Sequence, residues 1–156
     1  MTFRAWEPRD TPAMARIRSL EWGEVDYWAA RITGYLDTRL HPQQALTPRA
    51  AFVATEKLEI VGFVAGHLTR RHGCQGELEW INVLTEWCGK NVASPLLRLQ
   101  ASWFVAHGAA RVCVDVEPAN TKARAFYQRH GATELNKHWL VWEDIGALLN
   151  SADRSG

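Results

Sequence analysis

The residues best suited to chemistry lie in a short polar loop between an apolar strand and an amphipathic helix. The loop reads Cys88-Gly89-Lys90-Asn91-Val92-Ala93, and Ser94 follows inside the helix. Backbone N–H groups in the first turn of a helix have no partner one turn earlier, and the helix dipole adds positive potential there. Phosphate groups bind at such junctions. The pattern predicts a phosphate-binding loop formed by Gly89, Lys90, Asn91, Val92, Ala93 and Ser94.

A second set of residues lies on one face of a predicted helix further along the chain. Asn120, Ala123 and Tyr127 are spaced i, i+3 and i+7, and Phe126 precedes the tyrosine. The phenol of Tyr127, with an ordinary pKa of ~10, is a candidate proton donor. The alternative is that Tyr127 is a packed aromatic residue on an amphipathic helix.

Two acidic residues alternate with apolar ones in the strand before the loop. In a regular strand Glu77 and Glu79 share one face with Ile81 and Val83. Carboxylates in this position are suited to take a proton from an amine nucleophile and to attract a cationic ligand. The alternative, of equal weight, is that both are solvated acids on an exposed face of the sheet.

The elements that must position these residues follow the order β-α-α-β-β-β-α-β-α-β. The strand–helix–strand unit from Gly76 to Val116 predicts a right-handed parallel crossover within a mixed sheet. The predicted strands are Phe3–Trp6, Ala51–Thr55, Ile60–Thr69, Gly76–Leu84, Arg111–Val116 and Lys137–Asp144. The predicted helices are 12–20, Glu24–Leu36, Ala93–His107, Ala119–His130 and Ile145–Asn150.

Bulk composition is that of one globular domain. The chain has 156 residues, of which 47% are hydrophobic, and we expect a domain over 1–150 with a flexible tail at 151–156. A net charge of +1 argues against nucleic acid or a membrane surface as partner. The three cysteines are far apart and suggest neither disulfides nor a metal site. The start has no apolar leader, so we expect a cytoplasmic protein. Most of the eight tryptophans are expected in the core or at a homodimer contact, and some at a substrate pocket.

The loop and the later helix together resemble the GNAT superfamily of N-acetyltransferases. That family's loop has Arg or Gln, two free positions, Gly, one free position, then Gly or Ala. Ala93 fits this pattern, while Cys88 and Asn91 depart from it. The family's later helix begins at an Asn and contains Phe-Tyr before a Gly, as do Asn120, Phe126, Tyr127 and Gly131 here. The resemblance covers nearly the whole chain in element order and is weakest before residue 50.

The two departures are of different kinds. Asn is the non-glycine residue that best tolerates a left-handed backbone, so we expect Asn91 to preserve the path of the loop. Cys88 removes a donor and a positive charge, for which Lys90 compensates in part as a point charge without bidentate geometry. A nucleophilic role for Cys88 is disfavoured, because no His or Asp partner stands at a recognisable spacing.

The resemblance implies an α+β domain whose central sheet is mixed and mostly antiparallel. It contains a splayed parallel strand pair, and helices cover both faces. The activity implied is acetyl-CoA-dependent transfer of an acetyl group to a primary amine by direct attack, without a metal. The amine belongs to a small molecule or a peptide. Alternatives are a non-catalytic acyl-CoA sensor on the same fold and a plain α+β interaction domain.

The resemblance also assigns roles to the site residues. The backbone of Val83 and Leu84 contacts the pantetheine arm, and N–H groups from Gly89 to Ser94 hold the pyrophosphate. Asn120 bonds the pantetheine amides, while Ala123 and Phe126 lie on the cofactor side. Tyr127 protonates the leaving thiolate, and Glu77 or Glu79 serves as the base. Trp22, Tyr27 and Trp28 lie where the acceptor-binding helices of the family lie, with core packing as the alternative for all three.

Overall fold

The computed structural model describes residues 1–150, and the predicted tail at 151–156 lies outside the described residues. The strands are β1 Thr2–Ala5, β2 Arg49–Glu56, β3 Glu59–Leu68, β4 Gly76–Val83, β5 Val112–Asp115, β6 Thr133–Asn136 and β7 Trp139–Trp142. The helices are α1 Thr11–Ser19, α2 Val25–Leu36, α3 Ala93–Ala106, α4 Thr121–Arg129 and α5 Ala147–Asn150. None of these helices has the length and apolar character that a membrane span requires.

Seven strands form one mixed sheet in the order β1-β2-β3-β4-β5-β7-β6. Only the pairing of β4 with β5 is parallel, and α3 connects these two strands. This confirms the predicted fold class and the crossover from Gly76 to Val116. The remaining pairs are antiparallel.

The end of the chain differs from the prediction. The single last strand predicted at Lys137–Asp144 is wrong, because residues 133–142 form the hairpin of β6 and β7. The turn contains no glycine to signal it. Instead the Asn136 side chain accepts a hydrogen bond from the backbone N–H of His138 at 3.0 Å, which closes the turn locally.

Helices cover both faces of the sheet and enclose separate cores. On one face α1 and α2 pack on β2, β3 and β4, with Met14, Ile32 and Phe63 fully buried. On the other face α3 packs on the sheet through Leu96 and Phe104. Most of the sheet is therefore buried on both sides, which explains the near-continuous apolar burial of β3.

The middle of the sheet contains the feature that makes room for a site. β4 pairs with β3 from Gly76 to Val83, but with β5 only over Gly76 to Leu78. Beyond Leu78 the two parallel strands separate. A β-bulge also interrupts the pairing of β3 with β4, where Ala65 pairs with Trp80 and the next residue of β3 pairs with Leu78. The bulge residue, Glu79, has no direct partner on β3.

The bulge changes which residues share a face of β4. Glu77 and Trp80 face the core under α2, whereas Leu78 and Ile81 belong to the core under α3. The predicted face shared by Glu77, Glu79, Ile81 and Val83 is therefore wrong beyond Glu79. A bulge inserts one residue and inverts the alternation that follows it.

Candidate functional site

A cleft of about 680 Å³ opens where β4 and β5 separate. Its walls are the second half of β4, the end of β5, the loop before α3 and the side of α4 that carries Ala123, Phe126 and Tyr127. The sequence-predicted residues that line it are Glu79, Val83, Gly89, Asn91, Val92, Ala93, Ser94, Asn120, Ala123, Phe126 and Tyr127.

The loop before α3 has the backbone expected of a ligand-binding turn. Asn91 has φ +58° and Gly89 has φ +76°, both in the left-handed region. Space around Gly89 is open, so the turn itself, not crowding, calls for glycine at that position. The left-handed backbone predicted for Asn91 is present. Because α3 begins at Ala93, the N–H groups of Ala93 and Ser94 lie in its first turn and have no partner within the helix.

The side chains of Lys90 and Cys88 contact the turn and strand that precede the loop. The Lys90 ammonium lies 5.1 Å from the centre of the Trp87 ring, a cation–π contact. The exposed Cys88 thiol points at the carbonyls of Val83 and Leu84 at 3.8 and 3.6 Å. Lys90 and Leu84 lie outside the lining of the cleft, and Leu84 packs against both cores.

Helix α4 presents a capped end and a buried phenol to the cleft. The Asn120 side-chain oxygen accepts a hydrogen bond from the Ala123 N–H at 3.2 Å, so Asn120 is the N-cap of α4. Its amide N–H₂ is left to donate to a ligand. Burial raises the pKa of Tyr127 well above its ordinary value, and the nearby Glu21 carboxylate adds to the effect. Tyr127 therefore keeps its proton throughout the physiological range.

A hydrogen bond that the sequence did not reveal joins the two helices that flank the cleft. The Ser94 hydroxyl lies 2.9 Å from His130 Nε2, and both side chains are buried. His130 Nδ1 lies 2.9 Å from the Phe126 carbonyl, which can only accept. Nδ1 therefore carries the proton of the neutral ring, and Nε2 accepts from the Ser94 hydroxyl. These residues are 36 apart in sequence, so no local pattern signals the bond.

The two acidic residues of β4 are buried, which overturns the alternative of solvated acids on an exposed face. Glu77 is fully buried and lies outside the lining of the cleft. The Glu79 side chain is 8% exposed and reaches the cleft. Of the two carboxylates, only that of Glu79 is thus in position to meet a bound ligand.

Between the two acids lies a buried histidine of β3. His67 Nε2 is 3.6 Å from a Glu77 oxygen, and its Nδ1 is 3.8 Å from a Glu79 oxygen. The Tyr35 hydroxyl lies 2.7 Å from Nδ1. Sequence analysis did not single out His67, because its role depends on the register of β3 against β4. Its pairing with Glu77 is a cross-strand contact.

Burial dominates the titration of this cluster. It raises the pKa of Glu77 to about 7, opposed by the nearby Arg71 guanidinium. It raises the pKa of Glu79 to about 7, opposed by His67 and augmented by the charge of Glu77. Burial lowers the pKa of His67 to about 4. A carboxyl with a pKa near 7 can accept a proton from an ammonium group at neutral pH and later release it.

The end of the cleft beside α1 carries further polar groups that sequence analysis missed. Arg18 Nη1 donates to the Asn82 side-chain oxygen at 3.2 Å, and the Asn82 amide donates to Glu21 at 2.7 Å. All three residues line the cleft. Since 64 residues separate Arg18 from Asn82, only the packing of α1 against β4 brings them together.

The three aromatic residues predicted at the acceptor site lie outside the lining of the cleft. Trp28 is buried, donates its indole N–H to the Trp22 carbonyl at 2.8 Å and stacks under Arg18. Trp22 and Tyr27 are 59% and 46% exposed and pack edge to face against Trp28. The aromatic cluster thus packs, through Trp28, against Arg18, which lines the cleft.

Comparison with known proteins agrees with this geometry. Over residues 12–132 the chain matches the model of the acetyltransferase (GNAT) family. The chain therefore belongs to this family, as its resemblance predicted.

Two curated relatives share the name mycothiol acetyltransferase. The protein from Corynebacterium glutamicum (strain ATCC 13032) is 35% identical over 86 residues, which are 54% of this chain and 28% of that protein. The one from Corynebacterium efficiens is 31% identical over 127 residues, 77% of this chain and 40% of that protein. The chain thus spans less than half the length of these relatives.

Solved structures share the fold at low identity. Aminoglycoside 6'-acetyltransferase type Ii matches with a TM-score of 0.71 at 15% identity, over 93% of this chain and 97% of that one. PaiA N-acetyltransferase from Thermoplasma acidophilum, in complex with coenzyme A, matches with a TM-score of 0.65 at 13% identity, over 90% and 98%. At these identities the likeness concerns the fold alone.

Proposed function

We propose that this protein is an acetyl-CoA-dependent N-acetyltransferase that moves the acetyl group to a primary amine by direct attack. The main support is that the gap between β4 and β5 brings the loop before α3, Tyr127 and Glu79 to one cleft. These are the elements that hold a phosphorylated thioester, protonate its leaving group and deprotonate an amine.

Three features of the cleft fit coenzyme A. The left-handed turn at Gly89 and Asn91 directs the loop backbone toward the N-terminus of α3, where a pyrophosphate is favoured. The part of β4 that has separated from β5 offers backbone groups at Val83 to the pantetheine amides. Asn120 caps α4 and has its amide N–H₂ available to the same arm. The thioester of acetyl-CoA then supplies the activated acetyl group.

The side chains of the cleft divide the proton transfers between them. Glu79, at the cleft edge of the buried cluster, takes a proton from the acceptor ammonium. Tyr127 keeps its proton at physiological pH and, as a weaker acid than an ordinary phenol, stabilises the departing thiolate through an O–H hydrogen bond as the proton passes to sulfur. Positioning of amine and thioester within one cleft supplies much of the remaining rate. Glu77 is assigned no direct contact with the reactants, because it lies beneath the cleft.

The acceptor is a primary amine of a small molecule or peptide. The curated relatives, named mycothiol acetyltransferase, suggest the acceptor of those proteins as a first candidate. The Arg18–Asn82–Glu21 network forms the acceptor end of the cleft. A homodimer in the cytoplasm remains our expectation from the sequence.

The test is a turnover assay that monitors release of free coenzyme A from acetyl-CoA across a panel of amines. The panel contains polyamines, amino acids, aminoglycosides, peptide N-termini and the acceptor of the mycothiol acetyltransferases. Saturable, acceptor-dependent release with formation of the N-acetyl product is the expected result. Failure of acetyl-CoA to bind in calorimetry at high micromolar concentration would contradict the proposal.

A second candidate is a non-catalytic acyl-CoA sensor, and Cys88 is the observation that favours it. In place of the basic or amide residue of the family, the loop has a thiol directed at its own strand. Acetyl-CoA binding in calorimetry without turnover of any amine in the panel would favour the sensor.

A further inference from the structure

Beneath the cleft lies a cluster of buried polar side chains, several atoms of which make no hydrogen bond within the described residues. His67 and Glu77 are fully buried, and the Glu79 side chain is 8% exposed. Among the described residues 1–150, no hydrogen bond reaches His67 Nε2, either Glu77 oxygen or one Glu79 oxygen. Unpaired buried polar groups lower the free energy of unfolding, and more so when they are charged. The cluster therefore lowers the stability of the fold.

The geometry of the cluster suits two electrostatically coupled carboxyl groups better than a metal ion. The three side chains offer ligand atoms within 4.8 Å of one another. The two acids, however, flank opposite nitrogens of the imidazole, Glu77 at Nε2 and Glu79 at Nδ1. The Tyr35 hydroxyl already occupies Nδ1 at 2.7 Å. A metal held by one ring nitrogen would therefore have one carboxylate on the wrong side of the ring.

The hydrogen bond from Tyr35 fixes where the imidazole proton lies. Burial and the nearby carboxylates raise the pKa of Tyr35 well above its ordinary value, so its hydroxyl keeps its proton and donates. Nδ1 of the neutral ring then accepts, and Nε2–H points at Glu77. A carboxylate at Glu77 is stabilised by this N–H and by Arg71, whose Nε lies 3.7 Å away.

Two carboxylates this close in a low-dielectric environment do not ionise independently. Each negative charge disfavours the other, so the pair releases its protons in two coupled steps. The charged and titratable groups that act on the cluster come from every element around it. They are Arg18 of α1, Arg31 and Tyr35 of α2, Arg49 of β2, His67 of β3, Arg71 and His72 of the following loop, and Asp115 of β5.

We propose that Glu77, faced by the N–H of His67, is a positioning residue whose charge acts on Glu79 and thereby sets the pH at which Glu79 can deprotonate the acceptor. The role of Glu79 as base rests on the proposed function, whereas the coupling itself does not. In the step concerned, an N–H bond of the acceptor ammonium breaks and an O–H bond forms on Glu79. The neutral amine is the product that attacks, and Glu79 returns the proton to solvent through the cleft.

The charge of Glu77 raises the pKa of Glu79, which makes the proposal testable. We expect Glu77→Gln to move the acidic limb of kcat/KM to lower pH by roughly 0.5–1.5 pH units. The neutral His67 ring presents its Nε2–H to Glu77, so His67→Phe is expected to raise the pKa of Glu77 and to move the limb in the same direction by less. A merely structural role would lower activity in both variants without moving the limb.

A matched control separates charge from packing. Val112 is fully buried on β5, pairs with the same segment of β4 and lies outside the lining of the cleft. Val112→Ala is expected to lower stability and to leave the acidic limb where it is. Should Glu77→Gln fail to fold, Arg71→Gln replaces it. Without that guanidinium Glu77 keeps its proton to higher pH, so the limb is again expected to move down.

A second readout does not depend on activity. Carboxyl ¹³C resonances of Glu77 and Glu79, assigned with the Gln variants, are titrated by NMR in the protein without acetyl-CoA. The expected result is two coupled steps in the wild type and one step for Glu79, at lower pH, in Glu77→Gln. An unchanged Glu79 titration in that variant would overturn the inference. If the two titrations are coupled but the pH dependence of kcat/KM does not follow the titration of Glu79, the coupling stands and the role of Glu79 as base is refuted.

Discussion

The two sides of the cleft are built on different principles. On the side of α3 and α4, the groups proposed to bind the ligand are backbone N–H groups, a helix cap and a phenol within two short segments of chain. On the side of α1 and α2, the polar groups are mostly buried side chains that belong to the four elements α1, α2, β3 and β4. The first side depends on local conformation, and the second depends on how distant parts of the chain pack.

This difference explains why one side tolerates changes that the other would not. The loop before α3 has lost two family residues, yet Asn91 still adopts the left-handed backbone that the turn needs. Around His67, removal or addition of one charge changes the pKa values of the neighbouring groups, because these groups are buried away from water and have few hydrogen-bond partners. Substitution should therefore affect binding on the first side and proton transfer on the second.

The largest effect is expected from Tyr127→Phe. Loss of the phenol proton should lower kcat by roughly 10²–10⁴-fold, the usual range for a general acid, with little change in affinity for acetyl-CoA. Steady-state kinetics with calorimetry of acetyl-CoA binding checks this. Tyr27→Phe, at a half-exposed tyrosine outside the cleft, is the control. Equal turnover in Tyr127→Phe would remove the phenol from the mechanism.

A gain of function should follow on the cofactor side from restoring the family residues of the loop. Cys88→Arg with Asn91→Gly is expected to tighten coenzyme A binding by about 1–3 kcal/mol, because a charge-assisted contact to phosphate becomes available. Calorimetry at two salt concentrations measures it. Glu86→Gln, which raises the net charge by the same one unit at an exposed position two residues before Cys88, controls for net charge. Binding that is unchanged or weaker would show that the present loop is already compensated.

On the acceptor side, Glu77→Gln is expected to alter stability in a pH-dependent way. The pKa of Glu77 is raised from 4.5 to about 7 in the folded protein, so the native state binds more protons than the unfolded one between these values. Stability contributed by protonated Glu77 is thus lost as pH rises through this window. The variant should be more stable than wild type at pH 8 by about 1–2 kcal/mol and no more stable at pH 4. Urea unfolding at both pH values gives the comparison.

The smallest effect is expected from Ser94→Ala. Removal of the hydroxyl leaves His130 Nε2 unpaired in a buried environment, at a cost of about 1 kcal/mol in the free energy of unfolding. Thermal or urea unfolding measures the loss. Ser102→Ala, at an exposed position of the same helix, should be close to neutral. A loss equal in both variants would mean that the bond to His130 adds nothing.

The contrast between the two sides also describes what the sequence could predict. The element order as far as α4, the parallel crossover and the conformation of Asn91 follow from local patterns, and the structure confirms them. The faces of β4 do not follow, since the bulge at Glu79 arises from pairing with β3. The hairpin of β6 and β7 was missed because an asparagine side chain closes its turn without glycine.

The bond between Ser94 and His130 has a mechanical consequence. It fastens the first turn of α3 to the last turn of α4 across the open end of the sheet, where no strand pairing holds β4 against β5. The loop before α3 and the end of α4 that carries Tyr127 are therefore linked directly and not only through the sheet. A ligand that displaces the loop is expected to act on the position of the phenol as well.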